Sequence, residues 1–327
     1  LSGKAISMAN GSYLYVSATN SALTIDSTST VTGDVSLYSD GSTGTAITNQ
    51  GTLTHNIGSG SLYARTFVNS GSIIATAGSL SIGTASTGYS FANNPGATIT
   101  VAGASVTFGA PTANPIINQG TINVQSGTLN TGSDLVNGAT GTITGGGTIN
   151  GSLTISGGTL APGNSIGNLT VVGGAFLING ATTFAVELNA TSADQLVFQN
   201  PAATVNLGAG LLSLNLTLLS APTDFMTYNL VRISSGGSGI IGTFAGLPDT
   251  GSALTAMFGT TAYNFTINYG TNLISISAVP EPSTYALLVA GIVILALRRR
   301  RRRSPSRVAG ENDRGRTAGV GGAGREV

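Results

Sequence analysis

Few residues in this chain can do chemistry. There is one histidine, His55, and no cysteine, so thiolate catalysis is excluded. Any Ser-His-Asp triad has to use His55. Its neighbours Thr54 and Asn56 belong to a strand-like phrase, which reads as placing His55 on an outward strand position. The densest acidic group is Asp26, Asp34 and Asp40, spaced by 8 and 6 residues. Polysaccharide-cleaving sites need clustered carboxylates, often with calcium, but these spacings match neither an EF-hand loop nor a Gly-Gly-x-Gly-x-Asp nonapeptide. The three aspartates read as solvated corners. Gly145-Gly146-Gly147 is not followed by Gly-Lys-Ser/Thr and reads as turn glycine, not a phosphate loop. No catalytic residue, metal site or cofactor is assigned, and the chain is expected not to be an enzyme.

A different chemistry is offered near the C-terminus, where the chain looks like a substrate. Val279, Pro280, Glu281, Pro282 and Ser283 form a rigid Pro-Glu-Pro passage. An uninterrupted apolar run from Tyr285 through Leu288 and Ile292 to Leu297 follows, and then Arg298, Arg299, Arg300, Arg301, Arg302 and Arg303. Proline disfavours helix in the residue before each ring, so the apolar helix should begin after the motif and leave an extended, accessible peptide. As a helix the 13-residue run spans about 20 Å at ~1.5 Å per residue, short of a hydrocarbon core of about 30 Å. Bilayer thinning and snorkelling arginines can accommodate the difference. The arginine cluster sets this end in the cytoplasm and everything upstream of Pro280 across the membrane.

In this order of parts the segment resembles the PEP-CTERM sorting signal, the C-terminal tripartite tag of exported bacterial proteins. The resemblance implies recognition and cleavage by an exosortase-like membrane enzyme. The tag usually closes a chain soon after its basic cluster, whereas here residues 304–327 follow, rich in Gly, Arg and small residues and expected to be disordered. No leader-like basic or apolar segment precedes the folded pattern at Leu1, so a mature form or a fragment is expected.

Composition narrows the classes further. Charged residues make up 8% of the 327 and glycines number 48, with no tryptophan. Residues 1–279 carry three basic side chains (Lys4, Arg65, Arg232) against eight acidic ones, a net −5, while the other ten basic residues lie at or beyond Arg298. A weakly acidic body without clustered Lys and Arg is not a nucleic-acid binder.

The elements that would position these residues are legible from about Ala18 to Val171. Small turns recur at Asn49-Gln50-Gly51, Asn69-Ser70-Gly71, Asn94-Pro95-Gly96, Asn118-Gln119-Gly120 and Asn137-Gly138, with steps of 20, 25, 24 and 19 residues between their asparagines. This is the scale of one solenoid coil. Each turn leads into an alternating phrase such as Thr52-Leu53-Thr54 or Thr121-Ile122-Asn123-Val124, apolar one way and Thr, Ser or Asn the other. One short strand cannot bury a face alone, but stacked coils align the inward residues into a continuous column. Asparagines at equivalent corners can stack into an amide ladder. The predicted fold is all-β, a parallel β-helix or β-solenoid, with a C-terminal transmembrane or sorting helix and a disordered basic tail.

The phrase Gly157-Gly158-Thr159-Leu160-Ala161-Pro162-Gly163-Asn164-Ser165-Ile166-Gly167-Asn168-Leu169 resembles the passenger-associated repeat of autotransporter-type proteins. The strand Phe184–Leu188, the corner Ser192–Leu196 and Tyr228–Val231 continue the likeness. It implies the terminal part of a right-handed β-helix on a cell-surface protein, with Glu187 and Asp194 in structural roles. No translocator barrel phrase follows, and the sorting tag takes its place. The expected organisation is coils over 1–183, a β cap or continuation over 184–278, the sorting signal over 279–303 and the tail over 304–327.

These readings converge on an exported, non-enzymatic surface or matrix protein, anchored for a time by its C-terminus and then released. Its expected partners are the exosortase-like enzyme, the membrane and extracellular polysaccharide. The alternatives are a carbohydrate-active β-helix using Asp26, Asp34 and Asp40 or coils further upstream, and an adhesin whose Thr/Asn surface binds sugars or another solenoid edge.

Overall fold

The computed structural model describes residues 1–83, 89–109, 115–202, 204–280 and 282–302. The chain divides into two compact units, Leu1–Pro280 and Glu281–Val327. The first is an all-β solenoid of about eight turns, built from three faces that each add one short strand per turn.

On the first face Val31, Leu53, Ile73, Ile99, Ile122, Ile143 and Leu160 are partnered one to the next across parallel strands. All are essentially without solvent exposure. Burying such a side chain stabilises by about 1.5–3 kcal/mol, and the column repeats that gain at every coil. The same register runs Thr30, Thr52, Ser72, Thr98, Thr121, Thr142 and Thr159 along the outside. The two-residue period of a strand therefore separates an apolar interior from a hydroxyl surface without using charge. The second face stacks Leu80, Val106, Leu129, Ile149, Val171 and Phe198 in the same way. The third carries Ile47, Phe67 and Phe91, with the Phe67 and Phe91 rings stacked at 5.5 Å.

In five successive coils the third face ends with a buried asparagine. Asn49, Asn69, Asn93, Asn118 and Asn137 are in register and 0–1% exposed. Each Nδ2 donates to the Oδ1 of the next at 2.8, 2.8, 2.7 and 2.7 Å. The amide ladder expected from the repeat is present, with one correction of position. Its third rung is Asn93, while Asn94 is the next residue in the turn and donates to Ser70 Oγ at the surface. Ile25 and Ile155 occupy the equivalent sites below and above. At the upper end Asn137 Nδ2 is satisfied by the Gly141 and Gly157 carbonyls, both at 2.9 Å. At the lower end Asn49 Oδ1 has no hydrogen-bond partner, because its neighbour Ile25 has no donor to offer.

Parallel pairing continues through Phe244. The second face is then closed by antiparallel strands. Thr227–Ser235 pairs with Leu273–Val279, which pairs with Thr261–Tyr269, which pairs with Ala253–Phe258. Two tyrosine hydroxyls pin this cap. Tyr228 donates to the Ala190 carbonyl at 2.8 Å. Tyr269 donates to the Leu247 carbonyl at 2.6 Å and accepts the Phe244 N–H at 2.9 Å. Antiparallel hairpins covering a parallel edge remove an open ladder that would otherwise pair with other chains.

Among its described residues the second unit contains one helix, α1, Pro282–Arg302. Among the described residues no helix is long and apolar enough to cross a membrane, which corrects the expected transmembrane helix. The reason is length: only 13 of the residues in this segment form the apolar run, and the rest of α1 is a polar first turn and arginines.

Candidate functional site

The processing segment starts where the last strand of the sheet stops. Val279 is the final rung, paired with Asn264, and it is half-buried while Pro280 is buried. The upstream part of the motif is thus held in the ladder, not displayed as the free, extended peptide expected from the prolines. A protease acting on this side needs the terminal rungs to fray, and strand ends open at low free-energy cost. Glu281 lies outside the described residues.

Pro282 opens α1, so the helix begins inside the motif and not after it. The missing N–H of proline is one that the first turn leaves unbonded anyway, and its fixed φ suits the first helical position. Ser283, Tyr285 and Leu288 fall within α1, and their side chains lie outside the described residues, as do those of Arg300, Arg301 and Arg302. Arg303 and the tail lie outside the described residues altogether. Ile292 and Leu297 are 59% and 55% exposed, beside Leu287 at 74% and Leu295 at 63%. Gly291 is half-buried, and the residues from Ile292 through Arg299 are all exposed. A helix that exposes apolar side chains around its circumference is suited to a lipid or enzyme surround. Arg298 and Arg299 begin a cationic last turn, which complements the negative end of the helix dipole.

The acidic trio does not assemble. Asp26, Asp34 and Asp40 follow the strands Ala22–Ile25, Thr30–Gly33 and Ser36–Ser39 and occupy three different corners of one coil. At the first corner Asp26 Oδ1 accepts from the Thr28 N–H, the Thr28 hydroxyl and the Ser29 hydroxyl. Hydrogen bonds from Ser2, Ser29 and Thr28 hold its carboxyl well below the usual range. At the third, Asp40 accepts the Ser42 and Ala18 N–H groups at 2.8 and 3.1 Å. Its pKa is lowered chiefly by the Ser42 N–H. Asp34, at the second corner, is not a solvated residue: it is 2% exposed, and its Oδ2 accepts the Gly11 N–H at 2.8 Å. Asp26 and Asp40 each close a local turn, while Asp34 ties its corner to the adjoining coil. Among the described residues no group of three His, Cys, Asp or Glu is placed to hold a metal.

His55 points inward, against the outward placement expected. It is 1% exposed, in register between Gly33 below and Ala75 above. Gly60 lies beside the ring, where a Cβ would collide with Nδ1 and Cε1 of the imidazole. Nδ1 accepts the Val35 N–H at 3.3 Å and lies 3.9 Å from Asp34 Oδ1. Nε2 faces the backbone of Gly58 and Ser79 without closing a full hydrogen bond. Burial lowers the His55 pKa, partly opposed by Asp34. The ring is enclosed and burial favours its neutral form, so it packs a corner.

Among the described residues Asp194 is the one carboxylate shifted upward, to about 6, by burial, against the Glu187 and Gly167 N–H bonds that favour its charged form. Its Oδ2 accepts Glu187 N–H at 2.7 Å and its Oδ1 accepts Gly167 N–H at 2.9 Å. The carboxyl thus ties the Pro162–Gly167 turn to the neighbouring strand. Gly163, at φ +90°, packs so closely that a Cβ there would collide with Asp194 Oδ1.

Compared with known families, residues 278–303 match the PEP-CTERM protein-sorting motif. No curated protein matches the chain. The motif implies an exported protein, processed by exosortase and held at the cell envelope by its C-terminus.

Proposed function

We propose that this exported chain is a non-enzymatic structural and adhesive component of the cell surface or extracellular matrix. Its solenoid is the working part and its C-terminus a temporary tether. The observation that carries this reading is the pairing of a sorting motif at 278–303 with a body whose acidic trio is spread over separate corners. A rigid rod with a hydroxyl exterior and buried ladders suits a passive load-bearing or contact role. The likeness of the Gly157–Leu169 phrase to surface-displayed β-helices points the same way. The tether works without spanning the bilayer: the apolar circumference of α1 enters the interface and the arginines draw it to anionic lipid, each contributing roughly 1 kcal/mol near the surface. Exosortase-type cleavage then frees the body into extracellular polysaccharide.

The test is to replace Pro280, Glu281 and Pro282 by alanine in the full-length gene and to fractionate the native host. The variant should accumulate in the envelope fraction while the wild type reaches the surface or medium. Equal release of both, or recovery of the wild type from the cytosol, contradicts the proposal.

A further inference from the structure

The outer surface of the first coils breaks the pattern of the rest of the body. Along the first face the outward positions are mostly threonine and serine, yet on the second face they are tyrosines. Tyr15, Tyr38 and Tyr63 are in register on successive parallel strands, and Tyr13 joins them from the preceding turn. The rings of Tyr13 and Tyr38 lie 5.9 Å apart and those of Tyr38 and Tyr63 5.5 Å apart, each pair edge to face. Tyr15 meets Tyr13 at 6.4 Å in the same manner. Edge-to-face contact holds each ring upright against its neighbour, so the row is preorganised. It is also open: Tyr13 is 64% and Tyr15 55% exposed, and Tyr13, Tyr15 and Tyr38 line a cavity of about 450 Å³.

Charged residues follow two of the tyrosines in the chain. Two residues beyond Tyr38 is Asp40, and two beyond Tyr63 is Arg65, whose Nη1 donates to the Gly41 carbonyl at 3.4 Å. Each carboxylate oxygen of Asp40 takes one backbone N–H and keeps a second lone pair. A guanidinium has about five N–H donors, more than one carbonyl can take. Next along the chain from the row, Asp40 and Arg65 therefore offer acceptors and donors with charges that cancel.

We propose that this tyrosine row binds a neutral, pyranose-based polysaccharide. The axial C–H groups of a pyranose face are weakly positive and pack on the negative face of an aromatic ring. The ring hydroxyls need planar polar partners of both kinds, which Asp40 and Arg65 supply. One carboxylate balanced by one guanidinium next to the row gives a charged polymer no advantage over a neutral one, and a row running from coil to coil follows an extended chain better than a single small molecule. The proposal deepens the matrix reading given above and rests on it for the presence of such a polymer outside the cell. The site itself is testable without it.

The experiment is affinity electrophoresis of the full chain through gels containing hydroxyethylcellulose, laminarin, galactomannan or alginate. Tyrosine emission serves as a second readout, unmasked because the chain has no tryptophan. Wild-type protein should be retarded by at least one neutral glycan, with a change in tyrosine emission. Tyr15→Ala/Tyr38→Ala should raise the apparent Kd at least tenfold. Tyr38→Phe, which keeps the ring, should stay within a few-fold of wild type, and so should Tyr263→Ala in the antiparallel cap. Far-UV circular dichroism establishes that each variant is folded. Retardation by alginate alone, by no glycan, or equally in the wild type and the double variant overturns the proposal. If the protein is released from the envelope but binds none of these glycans, the site is refuted while the export account stands.

Discussion

Asn69 and Asn93 form a directional pair inside the solenoid: Nδ2 of Asn69 donates to Oδ1 of Asn93 at 2.8 Å, and its second proton goes to the Thr98 carbonyl at 3.1 Å. Every rung from Asn49 to Asn118 uses the same two bonds. A buried amide is costly unless satisfied, so the ladder works as a unit and its ends differ from its middle.

Replacing a middle rung is expected to cost more than replacing the first. Asn93→Leu strands Asn118 Oδ1 and halves the bonding of Asn69 Nδ2, for about 2 kcal/mol. Asn49→Leu removes an acceptor that is already without a partner and leaves Asn69 Oδ1 in its place, so the number of stranded acceptors is unchanged and the cost stays below about 1 kcal/mol. Urea unfolding of both variants measures the difference, and equal costs contradict the directional ladder.

Neighbouring residues separate interior from surface. Asn94→Ala, next to the third rung, loses only an exposed bond to Ser70 and should change stability by no more than about 0.5 kcal/mol. A loss comparable to that of Asn93→Leu in the same assay would contradict the assignment of Asn93 to the interior.

His55 makes the N-terminal coils sensitive to acid. Its pKa in the fold is lowered from 6.5 by burial, so below about pH 6.5 the unfolded chain binds more protons than the folded one, and stability falls as pH falls. His55→Gln should remove that dependence. Thermal unfolding between pH 7.5 and 5 checks it, and a wild-type profile no steeper than that of the variant contradicts it.

Asp194 has the opposite sign. With a folded pKa of about 6 against 3.8 unfolded, the folded state holds the extra proton between those values. Its contribution therefore grows as pH falls from about 6 towards 3.8. Comparing Asp194→Asn with wild type over this window isolates the effect; in the difference between the two, wild type should gain on the variant with acidification. A constant difference contradicts the shift.

Much of the body was legible because a strand needs only a period of two. Thr52-Leu53-Thr54 and Thr121-Ile122-Asn123-Val124 name their inward residues directly, and the Asn-Gly turns give the coil length. The same alternation, carried one residue past Thr54, puts His55 inside. The supporting signal is non-local: Gly60, which makes space for the ring, comes from another strand. The choice of Asn93 over Asn94 was hidden for a related reason, since two adjacent asparagines look alike until register assigns one to the ladder. Nothing local in the sequence marks the corner at Asp34 as buried. The sorting segment was legible from the order of its parts. The start of α1 at Pro282 and the burial of Pro280 were not, since they depend on how a proline enters a helix and where the last ladder ends.

The most direct test of the account is the intact mass of the protein recovered from the surface or medium of its native host. Processing at the sorting motif predicts a species ending near Pro280, without residues 283–303. A recovered mass that still includes that segment contradicts the tether-and-release account.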